Sequence, residues 1–272
     1  MNDLQLAIHV LKEISEGKSF SDFNINYNPT FLNDIRYDKC TVGFFYMPWL
    51  HNQDFLGLYA MAEQVEGGSY QGMSVAPRAY IILKAVESAL SLEAGDFVEC
   101  GVYKGGTALL ASEVILRDAA SQRTTFHLFD TFAGIPDQGL NESEKTGGLA
   151  HQYADVSLNA TQSNLSKYSD FLKFYPGLVP ETFKGFTERP IRYLHVDINT
   201  AQAHKDCLEF FMPQLVDGAV VIFDDYGWPG YGECKKAVDE YFLVNRLAMP
   251  VPLMTGQALY IHRKNSRRLL SF

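Results

Sequence analysis

From residue 77 onward the apolar residues follow two alternating rhythms. Short, nearly continuous apolar runs at 96–101, 124–130, 171–175, 191–197, 219–224 and 257–262 have the length and content of strands. Between them, residues 77–91, 105–118, 158–168, 201–212 and 231–245 place apolar side chains at helical spacing. Strands and helices in alternation predict an α/β fold, with a mostly parallel sheet covered by helices on both faces. Residues 76–272 are therefore read as one domain, and 1–75 as a helical N-terminal extension. In the extension, Leu4, Ile8, Leu11 and Ile14 predict one short amphipathic helix. An aromatic-rich stretch at 44–59, containing Met47, Pro48 and Trp49, is too apolar for a solvated tail. It is expected in the core of its own domain or in a dimer contact, ahead of a direct ligand role. Residues 137–157 break the rhythm: polar, glycine-containing and long for a connection, they form a candidate lid.

Composition narrows the partners. The 272 residues are 47% hydrophobic, enough for a buried core. A net charge of −9 argues against nucleic acid, whose phosphates need a basic face. No apolar run approaches the roughly 20 residues that cross a bilayer, so no membrane partner is expected. The N-terminus lacks the pattern of a signal peptide. Cys40, Cys100, Cys207 and Cys234 are far apart in sequence and form no C-x-x-C pair, which suits reduced thiols in a cytoplasmic protein. A small molecule is left as the partner class.

The run G-D-F-V-E-C-G leads into V-Y-K-G-G-T, which opens a helix. Glycines here let the backbone pass close to a ligand, and the helix start offers unpaired N–H groups. The spacing is not the G-x-G-x-x-G of dinucleotide-binding proteins, because Gly101 is followed by Gly105 and Gly106. A nicotinamide-dependent reductase is therefore the weaker reading. Glu99, a carboxylate inside a strand end, would be explained by an amino group on the ligand, and the methionine moiety of S-adenosylmethionine carries one. Asp130 closes the next strand, where an acid suits the two hydroxyls of a ribose. Alone it could equally be a helix N-cap; beside the glycine turn, the ribose reading is preferred.

Further on, R-Y-L-H-V-D ends at Asp197 and A-V-V-I-F-D-D ends at Asp224 and Asp225. In a parallel sheet both ends face one edge, so three carboxylates can converge. Like charges that close are costly without a neutralising partner, and hard divalent cations such as Mg²⁺ take oxygen ligands. Adjacent strand residues point to opposite faces, so Asp224 and Asp225 can share an ion only if the strand has already turned. Two separate helix caps are the alternative. His195 lies two positions before Asp197 on the same strand face and could reach the crevice, while His204 in the next helix could face either way.

Taken together, E-C-G-V-Y-K-G-G-T, L-F-D-T-F-A-G-I-P, H-V-D and D-D-Y-G-W resemble the macrocin O-methyltransferase family, over about residues 94–245. The resemblance implies a Rossmann-like class I methyltransferase fold with a seven-stranded sheet. It implies transfer of a methyl group from S-adenosylmethionine to a sugar hydroxyl of a natural product or nucleotide sugar, with Mg²⁺ as cofactor. By position, Glu99, Gly101, Tyr103, Lys104, Gly105, Gly106 and Thr107 would hold the methionine part and Asp130 the ribose, with Thr131 beside it also cofactor-binding. Asp197, Asp224 and Asp225 would be the metal ligands. Asp197, or secondarily His195, would be the catalytic base. Many relatives carry an acid two residues after the position of Asp197, where this chain has Asn199, which puts the acceptor side in question. A catechol-like acceptor and a non-catalytic nucleoside-binding protein of the same fold are the competing readings. A homodimer is the expected assembly, resting on the apolar N-terminal stretch.

Overall fold

The computed structural model describes residues 35–37, 42–44, 48–67, 75–118, 124–228 and 230–264. The amphipathic helix expected at 4–14 lies outside them. The main sheet comprises β3 (Asp96–Cys100), β4 (Phe126–Asp130), β5 (Leu172–Pro176), β6 (Ile191–Val196), β7 (Leu215–Phe223), β8 (Val251–Pro252) and β9 (Ala258–Ile261). Its seven strands are ordered β5-β4-β3-β6-β7-β9-β8, and β9 runs antiparallel to both its neighbours. The chain winds outward from β3 to β5 and then returns to place β6 beside β3. A crevice opens where strand order reverses in this way, at the carboxyl ends of the strands.

Pairing register explains why the strands are apolar throughout. Phe97 sits beside Tyr193 and Tyr193 beside Val220, while the next row is Val98, Leu194 and Val221. Successive residues face opposite sides of the sheet, so each row feeds a different core. The first row packs with Ile82, Val86 and Leu109; the second packs with Leu208, Phe211 and Phe242. Helices α3 (Ala76–Leu90) and α4 (Gly106–Arg117) supply the first side, and α7 (Ala201–Phe211) and α8 (Gly232–Val244) the second. The expected seven-stranded, doubly covered sheet is present, with two departures. β7 begins at Leu215, ahead of 219, because the register slips between Ile191 and Tyr193 and Gly218, at φ +88°, absorbs the bulge. β8 was not expected; it is a two-residue edge strand containing Pro252, which only an edge tolerates.

Ahead of the main sheet, β1 (Ile35–Tyr37) and β2 (Val42–Phe44) pair as an antiparallel hairpin, followed by α1 (Pro48–His51) and α2 (Gln53–Glu66). The α2 start is capped by Asn52, whose side chain accepts from the Phe55 amide at 2.9 Å, and its end by Gly67 at φ +61°. Its buried face, Phe55, Leu58, Tyr59 and Ala62, packs on Ala79, Leu83 and Leu110. Phe55 and Tyr59 of the aromatic stretch thus serve the core of their own chain. Among the described residues no helix is long and apolar enough to cross a membrane.

Residues 137–157 form an ordered flap. They contain α5 (Glu142–Thr146), opened by a capping box between Asn141 and Glu144, and their Leu140 and Leu149 form a small core with the preceding Ile135. Glu144 also accepts the Ala201 amide at 2.7 Å, which ties the flap to the start of α7. At the other end Asp155 accepts from the Tyr103 hydroxyl at 2.6 Å and the Lys104 ammonium at 2.7 Å. Because Asp155 is exposed, this pair adds little to global stability and acts locally. Asp155→Ala should therefore speed amide hydrogen exchange across residues 149–157 several-fold and leave the melting temperature nearly unchanged. Exchange mass spectrometry checks this; an unaltered rate in that segment would show that the latch does not hold the flap.

Candidate functional site

A cavity of about 400 Å³ opens at the carboxyl ends of β3, β4, β6 and β7. Its first wall is the turn after β3. Gly101 has φ +91°, and a Cβ there would stand 1.7 Å from the Asp197 carbonyl oxygen, so only glycine lets the ends of β3 and β6 close. Tyr103 at φ +50° and Gly105 at φ +97° then turn the chain into α4. Asp130 stabilises this turn from the end of β4. Its Oδ2 accepts the amides of Val102 and Tyr103 at 2.6 and 2.9 Å, and its Oδ1 accepts that of Phe132 at 2.6 Å. A carboxylate has roughly four acceptor positions, so these bonds leave about one for a ligand hydroxyl.

The second wall is acidic. β7 ends at Phe223, and the chain turns immediately, which brings both Asp224 and Asp225 onto the cavity beside Asp197. Oxygens of Asp197 and Asp224 lie within 4.8 Å of each other and of a His195 ring nitrogen. The Asp225 carboxylate accepts from the Asn199 amide at 2.6 Å. Arg78, from the first turn of α3, ion-pairs with Asp224, donates to its carbonyl oxygen at 3.0 Å and lies 3.7 Å from Asp225. Gln257, entering β9, donates to Asp224 at 2.7 Å. The guanidinium of Arg78 stacks on Trp228, 4.8 Å from the ring centroid. Burial, and then the nearby Asp225 carboxylate, push the Asp197 carboxyl up to about 7.

Of the residues singled out in the sequence, Gly101, Tyr103, Thr107, Asp130, Thr131, Asp197, Asp224 and Asp225 all line this cavity. Others stand back from it. Glu99 is 1% exposed and accepts the Thr107 hydroxyl beneath the cavity floor. His195, fully buried between Glu99 at 3.7 Å and Asp224 at 3.5 Å, lies behind the wall, whereas Asp197 lines the cavity itself. Lys104 points to Asp155. The Gly106 amide is taken by Glu66. His204 is buried within its helix, its Nδ1 2.8 Å from the Thr200 carbonyl oxygen. Glu66, Arg78, Tyr153 and Gln257 also line the cavity, and nothing in their sequence context marks them. Asn199, flagged as a departure, is at φ +62°, a conformation asparagine tolerates better than most residues.

Holding Asp197 in this setting costs stability whenever it is ionised. Its folded value is raised from 3.8 to about 7, so stability is fully present below pH 3.8 and falls as pH rises through 7. In metal-free buffer, Asp197→Asn should melt higher than the parent at pH 8, by roughly 2–4 °C per kcal/mol of repulsion relieved. The gain should vanish near pH 4. Thermal melts across that range check it, and a variant less stable at pH 8 would contradict it.

Comparison with known proteins places the chain among O-methyltransferases in sequence and fold. The chain is 27% identical over 178 residues to the 8-demethyl-8-(2,3-dimethoxy-alpha-L-rhamnosyl)-tetracenomycin-C 4'-O-methyltransferase of Streptomyces olivaceus, covering 61% of this chain and 65% of that one. It is 31% identical over 166 residues to the mycinamicin III 3''-O-methyltransferase of Micromonospora griseorubida, covering 57% and 64%. Both matches thus span less than two thirds of the relative's length. The solved structure of the O-methyltransferase NovP superposes with a TM-score of 0.64 at 23% identity, covering 77% of this chain and 99% of that one, a likeness of fold. The macrocin-O-methyltransferase (TylF) family model matches residues 79–263, well over half of the sequence, and the chain belongs to that family.

Proposed function

We propose that this chain is an S-adenosylmethionine-dependent O-methyltransferase that methylates a sugar hydroxyl of a glycosylated natural product or nucleotide sugar. One observation carries the reading: a single cavity joins the glycine turn, with Asp130, to a cluster of three aspartates, two buried and Asp197 half-buried. Methyl transfer to oxygen needs two such neighbouring sites, one for a nucleoside and one for a hydroxyl to be activated. The relatives' names supply the acceptor class: the first is named for a rhamnosyl-bearing tetracenomycin and the second for mycinamicin III.

In this reading the Tyr103–Thr107 turn and Asp130 hold the methionine and ribose ends of the cofactor. The cofactor's sulfonium supplies the methyl group: a C–O bond forms to the acceptor as the C–S bond breaks, leaving S-adenosylhomocysteine. Asp197 accepts the proton that the acceptor hydroxyl gives up. Without a cation, burial and Asp225 push that carboxyl up to about 7; a bound cation would favour the ionised form, which is the one that can take up a proton. Asp197, Asp224 and Asp225 are also the donors that would hold Mg²⁺. Their oxygen chemistry and mutual repulsion fit a hard cation, and Arg78 would have to yield part of its hold on Asp224. When bound, the ion lowers the pKa of the acceptor hydroxyl and fixes its position. Tyr153 offers the acceptor an aromatic wall, and its flap excludes water from the reacting atoms. The net charge of −9 supports a small molecule over nucleic acid as partner. Buried, unpaired Cys100, Cys207 and Cys234 support a reducing, cytoplasmic setting.

Turnover with S-adenosylmethionine, Mg²⁺ and a panel of glycosides, nucleotide sugars and catechols tests this reading. Methylated sugar is expected, together with a roughly 10²- to 10⁴-fold loss of kcat in Asp197→Ala. Calorimetry with S-adenosylhomocysteine should find that variant's affinity within about threefold of the parent's. Methylation of the catechols alone, or equal loss of cofactor affinity in the variant, would refute it.

A further inference from the structure

Glu66 is a buried acid that the reaction as described does not use. It is the last residue of α2, in the N-terminal extension, and it is 5% exposed yet lines the cavity. Several observations make it an odd choice for packing alone. A carboxylate at a helix C-terminus opposes the helix dipole. Burial raises its pKa to about 7, and the neighbouring Asp197 and Glu99 carboxylates add to the rise. The fold nevertheless brings it across to accept the Gly106 amide at 2.6 Å, at the start of α4. This is the end of the cavity at which the glycine turn would hold the methionine moiety. That moiety carries an α-ammonium, for which an acid is the natural partner. Glu99, the acid at the strand end, is withdrawn beneath the floor and taken up by Thr107. Glu66 is the carboxylate that faces the space.

On the reading of the cavity as a methyl-donor site, we propose that Glu66 recognises the α-ammonium of the cofactor's methionine moiety. The N-terminal extension then supplies part of the cofactor site. Its Gly106 bond fixes the carboxylate against the glycine turn, so that the ammonium meets an acid already oriented. Charge-assisted hydrogen bonds of this kind are among the stronger polar contacts, and losing one weakens binding by roughly 10- to 100-fold.

The test compares two ligands by calorimetry on the full chain and on Glu66→Gln. S-adenosylhomocysteine has the amino-acid end, and methylthioadenosine shares its nucleoside but lacks that end. Glutamine keeps the size and an oxygen for the Gly106 amide. The expected result is a loss of roughly 10- to 100-fold in affinity for S-adenosylhomocysteine, with methylthioadenosine affinity unchanged within about twofold. Equal weakening of both ligands, or loss of both through misfolding, would show that Glu66 only supports the turn and would overturn the inference. Unchanged affinity for S-adenosylhomocysteine would overturn it as well. Failure of the unsubstituted chain to bind either ligand would instead bring down the methyl-donor reading, and this inference with it.

Discussion

Asp197, Asp224 and Asp225 stand together at the tips of β6 and β7, where the fold must hold them against their own repulsion. It does so from the sides. Arg78 is the one cation that pairs with them among the described residues, and it reaches them from a helix placed well before either strand in sequence. Gln257 and Asn199 add neutral donors, one to Asp224 and one to Asp225. Asp197 receives no such donor among the described residues, and it is the group whose proton affinity rises most clearly. The cluster is therefore under-compensated at one carboxylate. That is the condition in which a site gains from a cation, a proton or a proton donor.

The same edge of the sheet also carries the glycine turn, and the turn and the aspartates are joined through backbone. The Asp197 amide donates to the Cys100 carbonyl oxygen at 2.7 Å, and Gly101 packs against the Asp197 backbone. Asp130 extends the linkage to β4 through the amides of Val102 and Tyr103. Beneath them His195 lies between Glu99 and Asp224. Two reactants bound at these joined ends would be held in one fixed relation.

Much of this was legible in the sequence, for identifiable reasons. Strands buried on both faces read as apolar runs, and their last residues are polar because they emerge into the crevice. Asp130, Asp197, Asp224 and Asp225 were visible on those grounds. The helices ended within a residue or two of expectation, except at 158–168, where α6 (Leu158–Asn164) gives way to a 3₁₀ turn at Ser166–Tyr168. Glu66 and Arg78 were not visible. Each sits on a helix, where a lone charge reads as a solvated face, and each finds its partners far along the chain. Glu99 and His195 show a limit of another kind, since both are fully buried. The sequence places them at the right strand ends, but not at the right depth, since one residue along a strand decides between wall and interior. The flap at 137–157 reads only as a candidate lid because its order comes from a capping box and a small core of Ile135, Leu140 and Leu149, too short to show a period.

A crystal structure with S-adenosylhomocysteine and Mg²⁺ would test most directly whether one cavity serves both halves of the reaction. The account predicts the ribose beside Asp130, the sulfur facing Asp197, and the ion in contact with Asp197 and at least one of Asp224 and Asp225. A nucleoside bound elsewhere, or an ion that leaves all three aspartates untouched, would contradict it.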